Sequence, residues 1–308
     1  MSQSAMSSLE ESKPKLSPQR KATIISSCVA CVLIVVKFVA GILSGSVAIL
    51  ASAIDSLLDL CASSFNLYAI TKAEKPADMK FNYGLGKIES LAAVIEGSVI
   101  LVSGVFIIYQ SVKKLMLGSE LVRLDLSLYV MVFSLVLTIA LVLYLQSVAR
   151  VSGNLVIKAD ALHYKTDILS NGVVLVSVVL VKLTGFSAID AIFGIGIGLY
   201  VGYSAFGLLR DGVLVLLDHA LEDEKQAAIK AILDSTKAIR GYHDLKPRQR
   251  GGLHFVAVHL EFSPEILLKD AHAVADSIEW QIKSLQVAGQ GSWEVITHLD
   301  PYEEQCKS

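Results

Sequence analysis

Runs of apolar residues long enough to cross a membrane recur along the first two thirds of the chain. A helix needs about 20 such residues to span the hydrocarbon core of a bilayer. Ionisable side chains interrupt the second and fifth runs, and the apolar signal falls after Arg210. The pattern predicts an all-α transmembrane domain of six helices, at residues 22–43, 46–70, 90–109, 126–145, 155–181 and 188–208.

The last hundred residues alternate helical and strand patterns instead. Helical spacing of apolar residues is found at 224–235 and 266–285, and runs of strand-forming residues at 241–249, 254–262 and 293–299. The order αββαβ predicts a small α+β domain of the ferredoxin-like kind, with two helices on a three-stranded sheet. The predicted domains are a disordered cytosolic tail at 1–21, a six-span transmembrane domain at 22–210 and a cytosolic domain at 211–308.

Composition agrees with a membrane domain followed by a water-exposed one. The 308 residues are 53% hydrophobic and only 18% charged, whereas soluble domains carry about 25% charged residues. A wholly soluble enzyme is therefore not expected. The formal charge of −2 is close to neutral, so nothing indicates a nucleic-acid partner. The segment after Arg210 is acidic, with 10 lysines and arginines against 16 aspartates and glutamates.

Lysines and arginines near the ends of the apolar runs predict the orientation, because such residues are concentrated in cytoplasmic loops. One side of the membrane has Lys13, Lys15, Arg20, Lys21, Lys72, Lys75, Lys80, Lys87, Arg150, Lys158 and Arg210. The other side has only Lys113, Lys114, Arg123 and Lys182. With an even number of spans, both termini and the C-terminal domain are expected to face the cytoplasm. The predicted location is the cell (inner) membrane.

Two pairs of ionisable residues lie inside the interrupted runs. Asp55 and Asp59 are in the second run, and His163 and Asp167 are in the fifth. Each pair has i, i+4 spacing, which places both members on one helix face. A carboxylate in hydrocarbon costs a few kcal/mol on insertion scales, and two of them one turn apart repel each other. A divalent ion would offset this cost, because three carboxylates and one imidazole supply the four ligands of a tetrahedral site.

The competing interpretation of an intramembrane aspartate is a capped or paired residue in helix packing. That interpretation suits a single residue well, but it suits two i, i+4 pairs on two different helices poorly. Metal ligands must lose their protons to bind an ion. The imidazole of His163, with a reference pKa of about 6.5, can exchange protons near neutral pH. The pairs therefore predict a metal site at which protons compete with the ion.

These motifs resemble the cation diffusion facilitator family, most closely its bacterial ferrous-iron and zinc efflux pumps. The segments that carry the resemblance are GSVAILASAIDS at 45–56, YGLGKIES at 83–90 and ADALHYKTD at 159–167. The resemblance implies a homodimeric antiporter in the membrane lipid that exchanges a cytosolic divalent metal (Zn²⁺, Fe²⁺ or Cd²⁺) for protons. It implies no other cofactor and no enzymatic reaction. Its transport site would comprise Asp55, Asp59, His163 and Asp167.

The resemblance also implies a second metal region in the C-terminal domain, which holds six of the seven histidines. In similar pumps, residues at matching positions hold a binuclear zinc site at the dimer interface. The matching residues are His243, His259, His272, His298 and Asp300. We expect His219 and His254 to be ordinary surface histidines. The domain at 211–308 is therefore predicted to bind metal and to dimerise.

The chain departs from the family in the loop after the second helix. Similar pumps often have an aspartate and two histidines there, whereas this chain has Asp78, Phe81 and Leu85. We expect this loop site to be weak or lost. By resemblance, Lys87 and Asp218 would form a salt bridge between helix ends.

The sequence leaves three questions open. Glu96 is either a packed, protonated carboxylate or part of a water-filled path. Asp160 is either an entrance residue or a first-turn helix aspartate. For function, proton-coupled metal export is favoured over a metal-sensing membrane module without transport, and an intramembrane hydrolase is a remote third. Histidine among the ligands favours zinc, cadmium or ferrous iron over manganese, but the choice among those three is open.

Overall fold

The computed structural model describes residues 16–44, 47–117, 126–184, 188–285 and 292–303. Six long helices occupy the six predicted runs. Their bounds are α1 Pro18–Ser44, α2 Val47–Ala73, α3 Lys87–Leu117, α4 Leu126–Ser152, α5 Leu155–Thr184 and α6 Ala188–Leu216. Residues 1–15 of the predicted tail, which include Lys13 and Lys15, lie outside the described residues, as do Arg123 and the side chain of Lys182.

Four of the described helices are long and apolar enough to cross a membrane. They are the segments Pro18–Leu43, Lys87–Met116, Tyr129–Ser152 and Ala191–Leu216. The helices α2 and α5 lie among them and carry the ionisable pairs in their sequences. A helical transmembrane domain is thus confirmed, while six spans remain a prediction.

At several helix ends, the residues that cap or end the helix lie outside the apolar runs. Ser17 Oγ accepts a hydrogen bond from the Arg20 N–H at 3.1 Å, and Pro18 follows as the first helical residue, so α1 begins four residues before the predicted domain start. Gly153, with a φ of 63°, ends α4. Asn154 Oδ1 then accepts the N–H groups of Val156 and Ile157, at 2.9 and 3.2 Å, and caps α5.

The helices α3 and α6 pack closely through glycine. A Cβ atom added to Gly198 would lie 2.9 Å from the carbonyl oxygen of Gly104, and one added to Gly104 would lie 3.2 Å from the carbonyl oxygen of Gly198. Small residues of this kind let transmembrane helices approach until their backbones touch. Gly-x-Gly-x-Gly in α6 therefore serves helix packing.

A second packing centre joins α1, α2, α4 and α5. Tyr164 is buried there among side chains from all four helices, which include Ala22, Ile70, Leu145 and Val156. The same face of α5 that fills this core also carries ionisable residues, so polar groups and tight packing lie next to each other.

The C-terminal domain has the predicted order αββαβ. Its elements are α7 Asp223–Ser235, β1 Gly241–Arg250, β2 Leu253–Phe262, α8 Leu268–Lys283 and β3 Ser292–Pro301. The sheet order is β1-β2-β3, with β1 and β2 antiparallel and β2 and β3 parallel. Ile229, Leu260, Ile278 and Ile282 are fully buried between the helices and one face of the sheet. A small mixed sheet with two helices is confirmed; its membership of the ferredoxin-like fold stays a prediction.

The β1–β2 turn docks on the start of α3. Gly251 has a φ of 56°, and a Cβ atom there would lie 2.8 Å from the carbonyl oxygen of Gly86. Beside this contact, Lys87 Nζ lies 2.9 Å from Asp218 Oδ1, and Arg248 Nη1 lies 3.1 Å from Asp218 Oδ2. The predicted pair Lys87–Asp218 is therefore in contact, at the junction between the two domains.

Candidate metal centres

The ionisable residues of α2 and α5 meet in the transmembrane domain. His163 Nε2 lies 3.0 Å from Asp59 Oδ1 and 4.0 Å from Asp167 Oδ2. One ligand atom from each of these three residues lies within 4.8 Å of the others. The i, i+4 spacing on α5 aims His163 and Asp167 at the same point, where α2 contributes Asp59.

Asp55, the fourth predicted ligand, lies outside that group of three. It precedes Asp59 by one turn of α2, and its side chain is exposed. Between the two aspartates, Ser56 Oγ accepts a hydrogen bond from Lys37 Nζ of α1 at 2.7 Å. The structure thus gathers three of the four predicted residues, and it places a lysine that the sequence reading missed beside them. Lysine inside an apolar run was the signal that could have found it.

The chemistry of the group depends on the Nε2 atom of His163. That nitrogen faces both carboxylates, so it donates a hydrogen bond to Asp59 when it carries a proton. To bind a metal it must present its lone pair instead, and the proton must leave. The group can therefore hold either a proton or a divalent ion at this nitrogen.

A second group lies on the sheet of the C-terminal domain. His243, His259 and His298 occupy the same register on β1, β2 and β3, so they form one row across the three strands. Asp300 lies two residues after His298 and therefore on the same face of β3. Its carboxylate lies 2.8 Å from His259 Nδ1, 3.5 Å from His243 Nε2 and 3.2 Å from His298 Nε2.

Residues next to this row add negative charge that the sequence reading missed. Glu261 Oε1 lies 3.7 Å from His243 Nε2, and its position two residues after His259 on β2 was the available signal. At the exposed Asp244, the hydrogen bond from Lys246 lowers the pKa of the carboxyl group, which therefore stays ionised near the histidines. Borderline-soft divalent ions suit a set of imidazole and carboxylate ligands.

His272, the remaining predicted ligand, is not part of the row within one chain. It lies on α8, where its Nε2 is 3.5 Å from Asp276 Oδ2 and its side chain is 69% exposed. His219 is exposed, as expected. His254 is buried and lies against Trp293, with ring centroids 4.7 Å apart, so the expectation of a surface histidine was wrong there. Its alternating position in β2 turns it toward the inside of the domain.

Asp78 takes part in a turn. Its Oδ1 accepts the N–H groups of Lys80 and Phe81 at 2.8 and 2.7 Å, so this oxygen is engaged by the backbone. Phe81 is exposed, whereas Tyr83 lies edge-on against Phe255, with ring centroids 6.3 Å apart. The weakness or loss of the loop site stays a prediction.

Glu96 and Asp160 are both buried within the transmembrane domain. Asn66 Nδ2 donates a hydrogen bond to Glu96 Oε2 at 3.0 Å. Ser63 Oγ donates to Asp160 Oδ1 at 3.5 Å. These two carboxylates belong to a polar cluster that also includes Asn66 and Ser63.

Comparison with known proteins identifies the family of the chain. Residues 23–217 match the cation efflux transmembrane domain, and residues 221–302 match the cytoplasmic domain of cation efflux proteins. The chain belongs to the cation efflux family. It is 37% identical over 281 residues to the cation-efflux pump FieF of Klebsiella pneumoniae subsp. pneumoniae, which covers 91% of this chain and 92% of that protein. The FieF pump of Pectobacterium atrosepticum is 36% identical over 280 residues, with the same coverage.

Membership in the cation efflux family confirms the resemblance drawn from the sequence motifs. The chain is accordingly a multi-pass membrane protein of a transporter family, not a member of a classical enzyme family. The family match supports efflux of divalent metal cations. The identity of its metal, the coupling to protons and the roles of individual residues belong to the proposal that follows.

Proposed function

We propose that this protein is a proton-coupled antiporter that exports a divalent metal cation across the cytoplasmic membrane. The observation that carries the proposal is the convergence of Asp59, His163 and Asp167 from two helices of a multi-pass membrane protein, with ligand atoms within 4.8 Å of one another. Ionisable residues are expensive inside a bilayer and mark ion pathways. In this proposal α2 and α5 also cross the membrane, which gives six spans.

Asp55 is the proposed fourth ligand. Residues i and i+4 of a helix have Cβ atoms about 5–6 Å apart, so Asp55 is next to Asp59 on α2. Four ligands suit tetrahedral coordination of a divalent ion. The imidazole favours Zn²⁺, Cd²⁺ or Fe²⁺ over Mn²⁺, which prefers oxygen ligands. The transported ion is cargo, and no resident cofactor is proposed.

Proton coupling follows from competition at His163. The metal-loaded site needs a deprotonated imidazole and ionised carboxylates, so loading releases protons. After the ion leaves to the outside, the same atoms take up protons and carry them inward. The cycle therefore exchanges metal for protons.

The row of His243, His259 and His298 with Asp300 is proposed as a regulatory or structural zinc site. His272 is 69% exposed on α8, which suits a ligand shared across the interface of a homodimer. We propose a binuclear site at that interface. Both termini then face the cytoplasm, as the distribution of lysine and arginine favours.

A metal-sensing membrane module without transport is the second candidate. It is favoured by the exposed histidine row, which can respond to cytosolic metal by itself. The two candidates differ in the role of Asp59, His163 and Asp167, which we call the α2–α5 group, and of the neighbouring Asp55. A sensor tolerates loss of Asp55 or His163, and an antiporter does not.

Metal flux into proteoliposomes tests the proposal. The purified protein is assayed with zinc, iron, cadmium, cobalt and manganese, and compared with Asp55→Ala. The matched control is Asp211→Asn, which removes an exposed carboxylate from α6. We expect flux of zinc, cadmium or ferrous iron that is lost in Asp55→Ala and kept in Asp211→Asn. Equal flux in all three proteins would contradict a transport role for the α2–α5 group.

A further inference from the structure

The polar cluster around Asn66 brings three helices together in the transmembrane domain. Asn66 of α2 donates to Glu96 Oε2 of α3 at 3.0 Å, and its amide also lies within hydrogen-bonding reach of Asp160 on α5. The amide nitrogen must face the carboxylates, because an ionised carboxylate only accepts hydrogen bonds. The side-chain carbonyl of Asn66 is left without a donor.

Burial makes this cluster unusual. Asp160 is 0% exposed, Asn66 1% and Glu96 7%. One oxygen of each residue is buried without a hydrogen-bond partner: Asn66 Oδ1, Glu96 Oε1 and Asp160 Oδ2. Within the described ranges, neither carboxylate forms an ion pair with a lysine or an arginine. Buried polar groups are normally hydrogen-bonded, and buried charges are normally paired or coordinate metals.

The three partnerless atoms are all oxygens, so a donor or a cation is what the cluster lacks. One proton can bridge only two of these oxygens: between Glu96 and Asp160 it leaves the Asn66 carbonyl without a donor, and between Glu96 and Asn66 it leaves Asp160 Oδ2 without one. A divalent cation accepts several oxygen ligands at once, and it neutralises two ionised carboxylates. We propose that Glu96, Asp160 and the side-chain carbonyl of Asn66 form a second, oxygen-only site for a divalent cation.

The site lies on a polar stripe that leads to the group around His163. On α2 the stripe runs through Asp59, Ser63 and Asn66, at i, i+4 and i+7; on α5 it runs from His163 to Asp160. At a rise of 1.5 Å per residue, Asn66 lies about 10 Å along α2 from Asp59, and Asp160 about 4.5 Å along α5 from His163. Asn66 and Asp160 both lie on the side of His163 that is nearer the C-terminal domain. Ala73 at the end of α2 and Leu155 at the start of α5 line a cavity of about 540 Å³ together with Arg250 of β1.

Hydroxyl groups occupy the space between the two sites. Ser63 Oγ lies 2.9 Å from Ser26 Oγ and 3.1 Å from the Tyr164 hydroxyl. Hydroxyls can both donate and accept hydrogen bonds, so they provide oxygen contacts along the stripe. Its role rests on the proposed transport function: the oxygen-only site binds the ion before the ion reaches His163.

The ligand chemistry of the two sites differs, which makes them separable. Oxygen ligands suit harder ions such as Mn²⁺, whereas imidazole favours Zn²⁺. Mn²⁺ is also paramagnetic, so its bound and free forms can be counted by electron paramagnetic resonance. The probe for the oxygen-only site is therefore Mn²⁺ alone, added to the full-length protein in detergent.

The test compares Mn²⁺ binding by the wild type, Glu96→Gln, Asp160→Asn, Asp59→Asn and the control Asp211→Asn. Glutamine at 96 keeps an acceptor for the Asn66 amide. We expect Glu96→Gln and Asp160→Asn each to lose one Mn²⁺ per chain, while Asp59→Asn and Asp211→Asn retain that ion. Wild-type Mn²⁺ binding by Glu96→Gln and Asp160→Asn would overturn the proposal and leave the pair as a proton-holding group.

A gain-of-binding variant separates ligand loss from misfolding. Asn66→Asp adds a third carboxylate, and affinity for such ions rises with the number of charged ligands, so we expect Mn²⁺ to bind about tenfold more tightly. Unchanged or weaker binding by Asn66→Asp would contradict the site. These readouts do not involve flux: if Asp59→Asn still transported zinc, the proposed function would fail, and the count of Mn²⁺ at Glu96 and Asp160 would be unaffected.

Discussion

His163 on α5 holds its Nε2 atom 3.0 Å from Oδ1 of Asp59 on α2. The same nitrogen is 4.0 Å from Oδ2 of Asp167. The lone pair of this nitrogen binds either a proton or a metal ion. The pH dependence and the metal dependence of transport are therefore expected to arise from the same atoms, and the predictions below separate the contributions of the residues around them.

Replacing Asp59 by asparagine should abolish tight metal binding at the group of Asp59, His163 and Asp167. The change removes one charged ligand and keeps the size of the side chain. Mutations of residues that only hydrogen-bond to metal ligands typically lower metal affinity by about 10–100-fold. Because Asp59 is itself a proposed ligand, we expect zinc flux to fall by at least that factor. Flux into proteoliposomes is the measurement. Asp211→Asn should keep wild-type flux, and a wild-type rate in Asp59→Asn would mean that the ion does not use this aspartate.

Replacing His163 by alanine should weaken the pH dependence of transport more than it weakens folding. In the wild type, lowering the pH over the range of the assay protonates the imidazole, and the proton displaces the metal. Without the imidazole, the residual flux should vary less over the same range. Zinc uptake by vesicles at a series of pH values measures this, and thermal unfolding of the same samples reports stability. A normal proton dependence in His163→Ala would exclude this role for the imidazole.

Replacing Asp300 by asparagine should release zinc from the C-terminal domain. Asp300 contacts His243, His259 and His298, so the change weakens the centre of the row. Elemental analysis of the full-length protein should show less bound zinc, while the α2–α5 group still supports flux. Glu303→Gln, which removes an exposed acidic group nearby, is the control. Equal zinc content in both variants would argue against zinc binding at the histidine row.

Replacing Gly251 by alanine should loosen the docking of the β1–β2 turn on α3. Gly251 has a φ of 56° and its added Cβ would meet the Gly86 carbonyl at 2.8 Å. A non-glycine residue in this conformation costs about 1–2 kcal/mol before any clash is counted. The neighbouring Gly252 has nothing within 4 Å of an added Cβ, so Gly252→Ala is the matched control. We expect faster proteolysis at the junction only in Gly251→Ala, and equal rates in both variants would show that the contact is unimportant.

The length of the apolar runs predicted the transmembrane helices, and periodicity predicted the helices and strands of the C-terminal domain, because contact with lipid and burial impose these patterns directly. The six apolar runs became α1 to α6, and the strand patterns became β1 to β3. Helix ends were less predictable, since helices such as α3 continue into polar sequence beyond the apolar run. The i, i+4 pairs predicted which residues of one helix share a face. They did not predict at which turn of α2 the contact with α5 would form, and Asp55, one turn away from Asp59, lies apart from the group.

Contacts that join distant segments were missed for the same reason. Nothing local to Asn66 indicates that it meets Glu96 and Asp160, because those residues lie on other helices. Likewise, Lys37 is a single lysine in an apolar run, and its bond to Ser56 depends on how α1 packs against α2. His254 is a different case, because its alternation with Val256 and Val258 along β2 could have indicated its burial beside Trp293. Side chains whose role depends on tertiary packing are the ones that the sequence left open.

Simultaneous measurement of zinc and proton movement in one proteoliposome preparation distinguishes antiport from uncoupled transport. A zinc indicator and a pH indicator report both fluxes for the wild type and for Asp59→Asn. We expect zinc to move one way and protons the other in the wild type, with both movements lost together in Asp59→Asn. Zinc transport without proton movement, or coupled transport that survives in Asp59→Asn, would contradict the proposal.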